Sequence, residues 1–194
     1  RLANAKAFGH LVSLHARAFG QWQVTAREDR PLRIGLVSGD FRQHPVGHFL
    51  EAVLPQLAAL PAPGLQLFAY SNSLQADPLT ARLRTACQGW CDVAGLSDER
   101  LARQIHDDRI DILVDLSGHT GHGRLPVFAW KAAPVQVTWL GYWATTGVSQ
   151  IDYLIADPWT LPPEEEANFT EKVWRLPETR LCFTPPDEIG RAHV

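Results

Sequence analysis

Two hydrophobic rhythms alternate along the chain. Residues 2–19 carry Phe8, Leu11, Val12, His15 and Phe19 at helical spacing; Leu14 and Ala18 widen the stripe and Gly20 stops it. That pattern predicts an amphipathic helix that precedes the main domain and stays out of its sheet, followed by a charged linker at 26–31. Leu32–Ser38 is a dense apolar run between Pro31 and Gly39, which predicts a strand buried on both faces. Phe49, Leu50, Val53, Leu54 and Leu57 predict a helix over 46–60, with Pro55 straining its middle or ending it early. Further strands are predicted at 65–70, 110–116, 135–140, 153–156 and, more faintly, 173–176. Helices are predicted at 78–88, 97–106 and 123–131, the second opened by Ser97 as N-cap with Asp98 and Glu99 in its first turn. The order β-α-β-α-α-β-α-β-β predicts an α/β fold, a doubly wound Rossmann-like lobe with an open parallel sheet, preceded by one helix.

In such sheets, ligands gather at the loops beyond the carboxyl ends of the strands. The first such loop, Ser38–His48, lacks both glycine-rich phosphate-binding fingerprints. It offers His44, held before Pro45, and His48 at the helix start. An imidazole near neutrality serves as general base or as hydrogen-bond donor; His48 can equally bond a nearby backbone carbonyl. The loop Gly118–Gly123 (GHTGHG) has three glycines that permit positive φ and close approach, and amides ahead of a helix that suit an anion or a sugar hydroxyl. Arg124 is placed to pair with a carboxylate or phosphate. The plainer reading of this loop is a tight turn with solvated imidazoles.

His44, His48, His119 and His122 with Asp40 raise the question of a metal. His44 and His48 have a ligand-like spacing only on a continuous helix, which Pro45 and Gly47 oppose, so no metal is expected. Asp115 sits near the carboxyl end of its strand, where a catalytic acid can sit. Asp107 and Asp108 precede that strand and are expected to be solvated or capping. Trp139, Trp143 and Trp159 with Tyr142 suit stacking on a sugar or peptide, although Trp139, in a strand, reads better as core.

Composition narrows the classes. Apolar residues make up 45% and charged residues 20%, and the net charge is -3, so there is no basic field to gather nucleic acid or anionic lipid. No stretch approaches the ~20 apolar residues of a membrane span. The three cysteines form an odd set without enough neighbours for a zinc site, as expected of thiols in a reducing cytoplasm. The chain has no methionine, and residues 188–194 (EIGRAHV) resemble a translated sequencing adapter. The expectation is that the natural protein continues past about Asp187 and that this tail is foreign to it.

Three motifs carry a resemblance: SGDFRQHPVGHF after the first strand, DLSGHTGHGR at the end of the third predicted strand, and APVQVTWLGYWATTG across the next strand. Together they resemble the protein O-linked N-acetylglucosamine transferase family, in particular its bacterial members with tetratricopeptide repeats, over residues 30–185. The resemblance implies a GT-B fold of two Rossmann-like lobes behind a helical repeat array. Residues 1–28 would be the end of that array with its linker, and 30–187 the N-terminal catalytic lobe. It implies inverting transfer of N-acetylglucosamine from UDP-N-acetylglucosamine to Ser or Thr hydroxyls of an acceptor protein, with no further cofactor. His44 matches the family's active-site histidine. His48, Gly118, His119, Thr120, Gly141 and Tyr142 match positions expected to bind substrate. The donor-binding residues belong to a second lobe that this chain lacks, so the fragment is expected to be inactive alone. Trp143-Ala144 stands where the family usually has Pro-Gly, and Trp130-Lys131 replaces an Arg-rich pair. The alternative reading is a non-catalytic peptide- or protein-binding module. A dinucleotide oxidoreductase is opposed by the missing glycine fingerprint.

Overall fold

The computed structural model describes residues 1–22 and 30–183, so residues 26–29 of the expected linker and the whole expected tail fall outside it. The dense apolar run folds as strand β1 (Leu32–Ser38) in the interior of a seven-stranded sheet. The other strands are β2 (Leu65–Ser71), β3 (Gly89–Asp92), β4 (Ile112–Asp115), β5 (Val135–Thr138), β6 (Tyr153–Ala156) and β7 (Lys172–Arg175). All pairings are parallel and the spatial order is β3-β2-β1-β4-β5-β6-β7. The chain therefore winds one way from β1 to β3, returns to the other side of β1, and winds outward to β7, which puts the reversal between β1 and β4.

Neighbouring residues of the central strands feed opposite cores, as the period-2 geometry requires. Leu36, Leu67 and Val114 point to one face, where helices α2 (Pro45–Ala58) and α3 (Pro78–Thr85) bury Leu50, Leu54, Leu79 and Leu83. Val37, Tyr70 and Leu113 point to the other, against Leu101 and Ile105 of α4 (Asp98–Asp107) and Phe128 of α5 (Leu125–Phe128). Each fully buried Leu or Phe of these layers contributes roughly 1.5–3 kcal/mol. The doubly wound parallel sheet expected from the sequence is thus present.

Several boundaries differ. β3 is a strand that the sequence pattern misses: it is four residues long, opens on Gly89 and is half-buried, so it has no readable alternation, and its pairing to β2 from Phe68↔Gly89 to Ser71↔Asp92 decides it. The helix expected over 123–131 contracts to the single turn of α5. Pro55 does not end α2, because it lies on the exposed side within the last turn.

Helix α1 (Leu2–Leu14) is shorter than its stripe. Beyond it the backbone uncoils, so that Phe19 donates its N–H to the Trp130 carbonyl at 2.8 Å and stacks on His106 at 4.2 Å between ring centroids. Phe8, Val12 and Phe19 all pack on the α4/α5 core, so the helix is docked on the lobe although outside its sheet. Gly147 sits under it at φ +75°, where a Cβ would lie 2.0 Å from the Ala5 carbonyl oxygen. A Gly147→Ala variant is expected to lose about 2 kcal/mol of unfolding free energy from strain and lost docking. Chemical denaturation measures this, and a loss under about 0.5 kcal/mol, the level of an ordinary surface change, would contradict the close seat of α1.

Candidate functional site

The reversal between β1 and β4 splays the loops that follow them, and a parallel sheet puts both at the same edge. The loop after β1 is pinned from below by Phe41, fully buried among Val46, Leu50 and Leu79 and 5.3 Å from the Trp90 ring. Asp40 is buried with it: its amide donates to the Ser38 hydroxyl at 2.9 Å, and its carboxylate accepts from Arg42 at 3.3 Å. His44 then caps α2, with its Nδ1 accepting the Val46 N–H at 3.3 Å while its side chain stays 38% exposed. Pro45 at the first helical position needs no amide partner.

The loop after β4 is organised by one carboxylate. Asp115, entirely buried at the strand end, accepts from the amides of Ser117 (3.1 Å) and Gly118 (3.0 Å) and from the Thr138 hydroxyl of β5 (2.7 Å). Complete burial pushes its carboxyl up from the usual range, against the opposing pull of those donors. A group so enclosed holds the turn and has no open face for acid catalysis, so the catalytic role considered for it does not fit its surroundings.

The turn places Gly118 at φ +56°, with its α-carbon so close to Tyr142 that a Cβ would meet the tyrosine Cβ at 2.3 Å. Gly141 likewise rests on the Leu116 carbonyl. The loop after β5 is thereby laid on the loop after β4. The β1 and β4 loops also touch. Gly39 has no room for a Cβ beside His122, and the Ser38 and Ser117 hydroxyls stand 3.5 Å apart. Asn72, just past β2, ties this together by donating to the His122 carbonyl at 2.8 Å and accepting from Arg124 at 3.2 Å. Asn72 escaped the sequence reading. Its only signal is its place one residue beyond the carboxyl end of an apolar run.

The structure thus brings the His44 loop, Gly118, Gly141 and Tyr142 to one rim, and sorts the remaining candidates. Thr120 bonds back to the Ser117 carbonyl at 2.7 Å as part of the turn. His119 puts Nε2 at 2.8 Å from the Thr146 carbonyl and its ring edge-on to Phe8 and Tyr142, which links the rim to α1. His48 lies one turn along α2, largely covered, with Nδ1 buried without a hydrogen-bond partner and 3.9 Å from Glu51. Arg124 does pair with a carboxylate, but with Asp98 of its own chain at 2.8 Å, and two backbone carbonyls occupy its other donors. Asp108 caps α4 and accepts from the Tyr70 hydroxyl at 2.7 Å, a structural role as expected from its end of the strand. Trp139 is half-buried against the α2/α3 core, whereas Trp143 is 59% exposed with the Arg1 guanidinium over its ring at 4.0 Å. Among the described residues no group of three or more His, Cys, Asp or Glu is arranged to hold a metal ion.

Comparison with known proteins follows the same outline. The family model described as glycosyl transferase family 41 matches residues 4–183. The chain is 38% identical over 176 residues to the probable UDP-N-acetylglucosamine–peptide N-acetylglucosaminyltransferase SPINDLY of Solanum lycopersicum, covering 89% of this chain and 19% of that protein. The protein of the same name from Oryza sativa subsp. japonica gives the same figures. Among solved structures, a lysine-to-methionine mutant of Thermobaculum terrenum O-GlcNAc transferase superposes with a TM-score of 0.87 at 41% identity, over 98% of this chain and 36% of that one. The chain therefore spans about a fifth of the length of these curated relatives.

An Asp115→Ala change strands two amides and a hydroxyl in a dry site. It is expected to cost about 3 kcal/mol and to speed hydrogen exchange of the Ser117 and Gly118 amides, read by NMR. Unchanged protection of those amides would show that the carboxylate does not hold the turn.

Proposed function

Because the chain belongs to glycosyl transferase family 41, we propose that it is the N-terminal lobe of a two-lobed GT-B enzyme. That enzyme moves N-acetylglucosamine, with inversion, from UDP-N-acetylglucosamine to Ser or Thr hydroxyls of acceptor proteins. In this reading residues 1–28 close a helical repeat region, and a second lobe supplies the uridine pocket and the donors for the leaving diphosphate. The observation that carries it is the rim at the sheet reversal, where the His44 loop faces the turn of Gly118 and the stacked loop of Gly141 and Tyr142.

The chemistry suits those residues. A serine hydroxyl is a weak nucleophile and gains from a base within hydrogen-bond reach as it attacks the anomeric carbon. His44 combines an exposed ring with a fixed backbone, and we assign it the proton-accepting role. His48, Gly118, His119, Thr120, Gly141 and Tyr142 are assigned to the acceptor side of the cleft. Tyr142 offers a ring face for the sugar or peptide, and the two glycines act by letting the loops approach. Direct inversion needs one displacement and one base, which a single histidine on this lobe can supply. We assign the reaction to the cytoplasm, a reducing compartment that suits the unpaired Cys87, Cys91 and Cys182. No helix among the described residues is long and apolar enough to cross a membrane.

Two measurements test this. In a natural-length protein carrying this lobe, His44→Ala is expected to lower kcat for peptide glycosylation by roughly 10²–10⁴-fold, with the fold intact and the melting temperature down by only about 2–4 °C for the lost cap. Unchanged turnover would remove His44 from the chemistry, whereas a natural-length protein that binds peptide but transfers no sugar would favour the binding-module reading. The 194-residue chain alone is expected to transfer no sugar from the radiolabelled donor; robust transfer would overturn the two-lobe assignment.

A further inference from the structure

His44 is asked to do two things with one nitrogen. As the cap of α2 its Nδ1 accepts the Val46 N–H at 3.3 Å, which requires a bare lone pair on Nδ1. The neutral ring then carries its proton on Nε2, and Nε2 is a donor with nothing to accept a proton. A base working through the outer nitrogen needs the opposite tautomer, with the proton on Nδ1. That proton must have an acceptor, and the Val46 amide is not one.

The acceptor is present. The carboxylate of Asp40 is buried to 6% side-chain exposure and its Oδ2 lies 3.9 Å from His44 Nδ1. Its other oxygen accepts from Arg42 at 3.3 Å, and Arg42 is itself held by Gln75 at 3.0 Å, so the carboxylate is fixed in place beside a guanidinium. The distance is about one small side-chain rotation from a hydrogen bond. Of the other charged groups around this end of α2, Asp77 accepts the Gln43 amide at 2.6 Å and caps α3, and Glu51 and Arg82 pair with each other one turn on, beside His48.

We propose that Asp40 is the positioning residue for His44, drawing the ring out of its capping tautomer by accepting Nδ1–H and so baring Nε2 to the acceptor hydroxyl. The step balances simply. The hydroxyl proton moves to Nε2 as its oxygen bonds the anomeric carbon, the diphosphate leaves with the electron pair, and the imidazolium formed keeps its Nδ1–H on Asp40. The catalytic use of this arrangement rests on the function proposed above; the tautomer preference itself does not.

The two are separable. Long-range ¹H–¹⁵N spectra of the 194-residue chain above the titration of His44 report which nitrogen carries the proton, with no need for activity. The wild-type chain is expected to populate the Nδ1–H form, and Asp40→Asn, whose amide can donate to Nδ1, is expected to abolish it. Exclusive Nε2–H in the wild type, or a spectrum indifferent to Asp40→Asn, overturns the proposal. The wild-type spectrum decides even if the variant folds poorly. In the natural-length enzyme Asp40→Asn should lower kcat at least about 10²-fold with little change in KM, and flatten the acidic limb of the pH profile. An equal loss at every pH would mean that Asp40 only supports the loop. If His44→Ala leaves turnover intact while the tautomer still follows Asp40, the catalytic assignment falls and the pairing stands.

Discussion

One buried carboxylate sets the geometry of the rim. Asp115 ends a strand that lies in the middle of the sheet, where the chain must turn sharply without water to satisfy its amides. Its two oxygens take the Ser117 and Gly118 N–H groups and reach sideways to Thr138 on the next strand. Removing an ion from water costs several kcal/mol, and an isolated carboxylate would not remain there. Three well-placed donors offset that cost only if the turn keeps the one conformation that presents them. The same bonds fix Gly118 in the left-handed region, and that lets Tyr142 lie on it with no intervening side chain. A single acid therefore holds two strand-end loops in register, one bonded to it directly and the other stacked on the first.

The β1 loop is fixed by a different device. Phe41 is buried in the apolar layer beneath α2 and α3 and anchors the chain on either side of it. Gly39 and Ser38 meet His122 and Ser117 of the opposite loop without an intervening Cβ. A rim built this way is preorganised: packing and hydrogen bonds within the chain hold its groups in place, the kind of arrangement from which enzymes draw much of their advantage over water. What the rim lacks is uncommitted positive charge. Arg42 is engaged by Asp40 and Gln75, and Arg124 by Asp98 and backbone carbonyls. That accords with assigning stabilisation of the diphosphate to a second lobe.

The sheet was legible because its strands are dense apolar runs between glycines and prolines, and because the βα alternation admits few topologies. β3 was not legible, since Gly-Trp-Cys-Asp has no pattern of its own and pairs only because β2 offers an edge. The end of α1 was misread for the converse reason. The periodicity runs on to Phe19, but the tertiary bonds of Phe19 to Trp130 and His106 outweigh one more turn of helix. Topology pointed to the rim as the candidate site, and the motif pointed to the histidine in its first loop. The partners of the histidines were not legible. Nothing in the spacing of His119 reveals that Thr146, twenty-seven residues on, takes its Nε2, because that contact exists only after β4 and β5 pair.

Partner accounting also explains why the four loop histidines are not equivalent. His119 spends a nitrogen on a backbone carbonyl that also seats α1, so its proton is committed to structure. His48 is largely covered, with its buried Nδ1 lacking a hydrogen-bond partner and standing 3.9 Å from Glu51. His122 is exposed at φ +62°, with its carbonyl engaged by Asn72 and its Cβ against Gly39, so its backbone is the part in use. His44 alone of the four combines an exposed ring with a nitrogen that faces both an amide and an anion. Protonation there has a structural consequence, because an imidazolium cannot accept the Val46 N–H. The cap, worth about 1 kcal/mol, is given up as the charge forms, and the pairing of that charge with Asp40 offsets the loss. The first turn of α2 and the protonation of His44 are thereby coupled, so a helix end that looks merely structural shares its free energy with the chemistry of the rim.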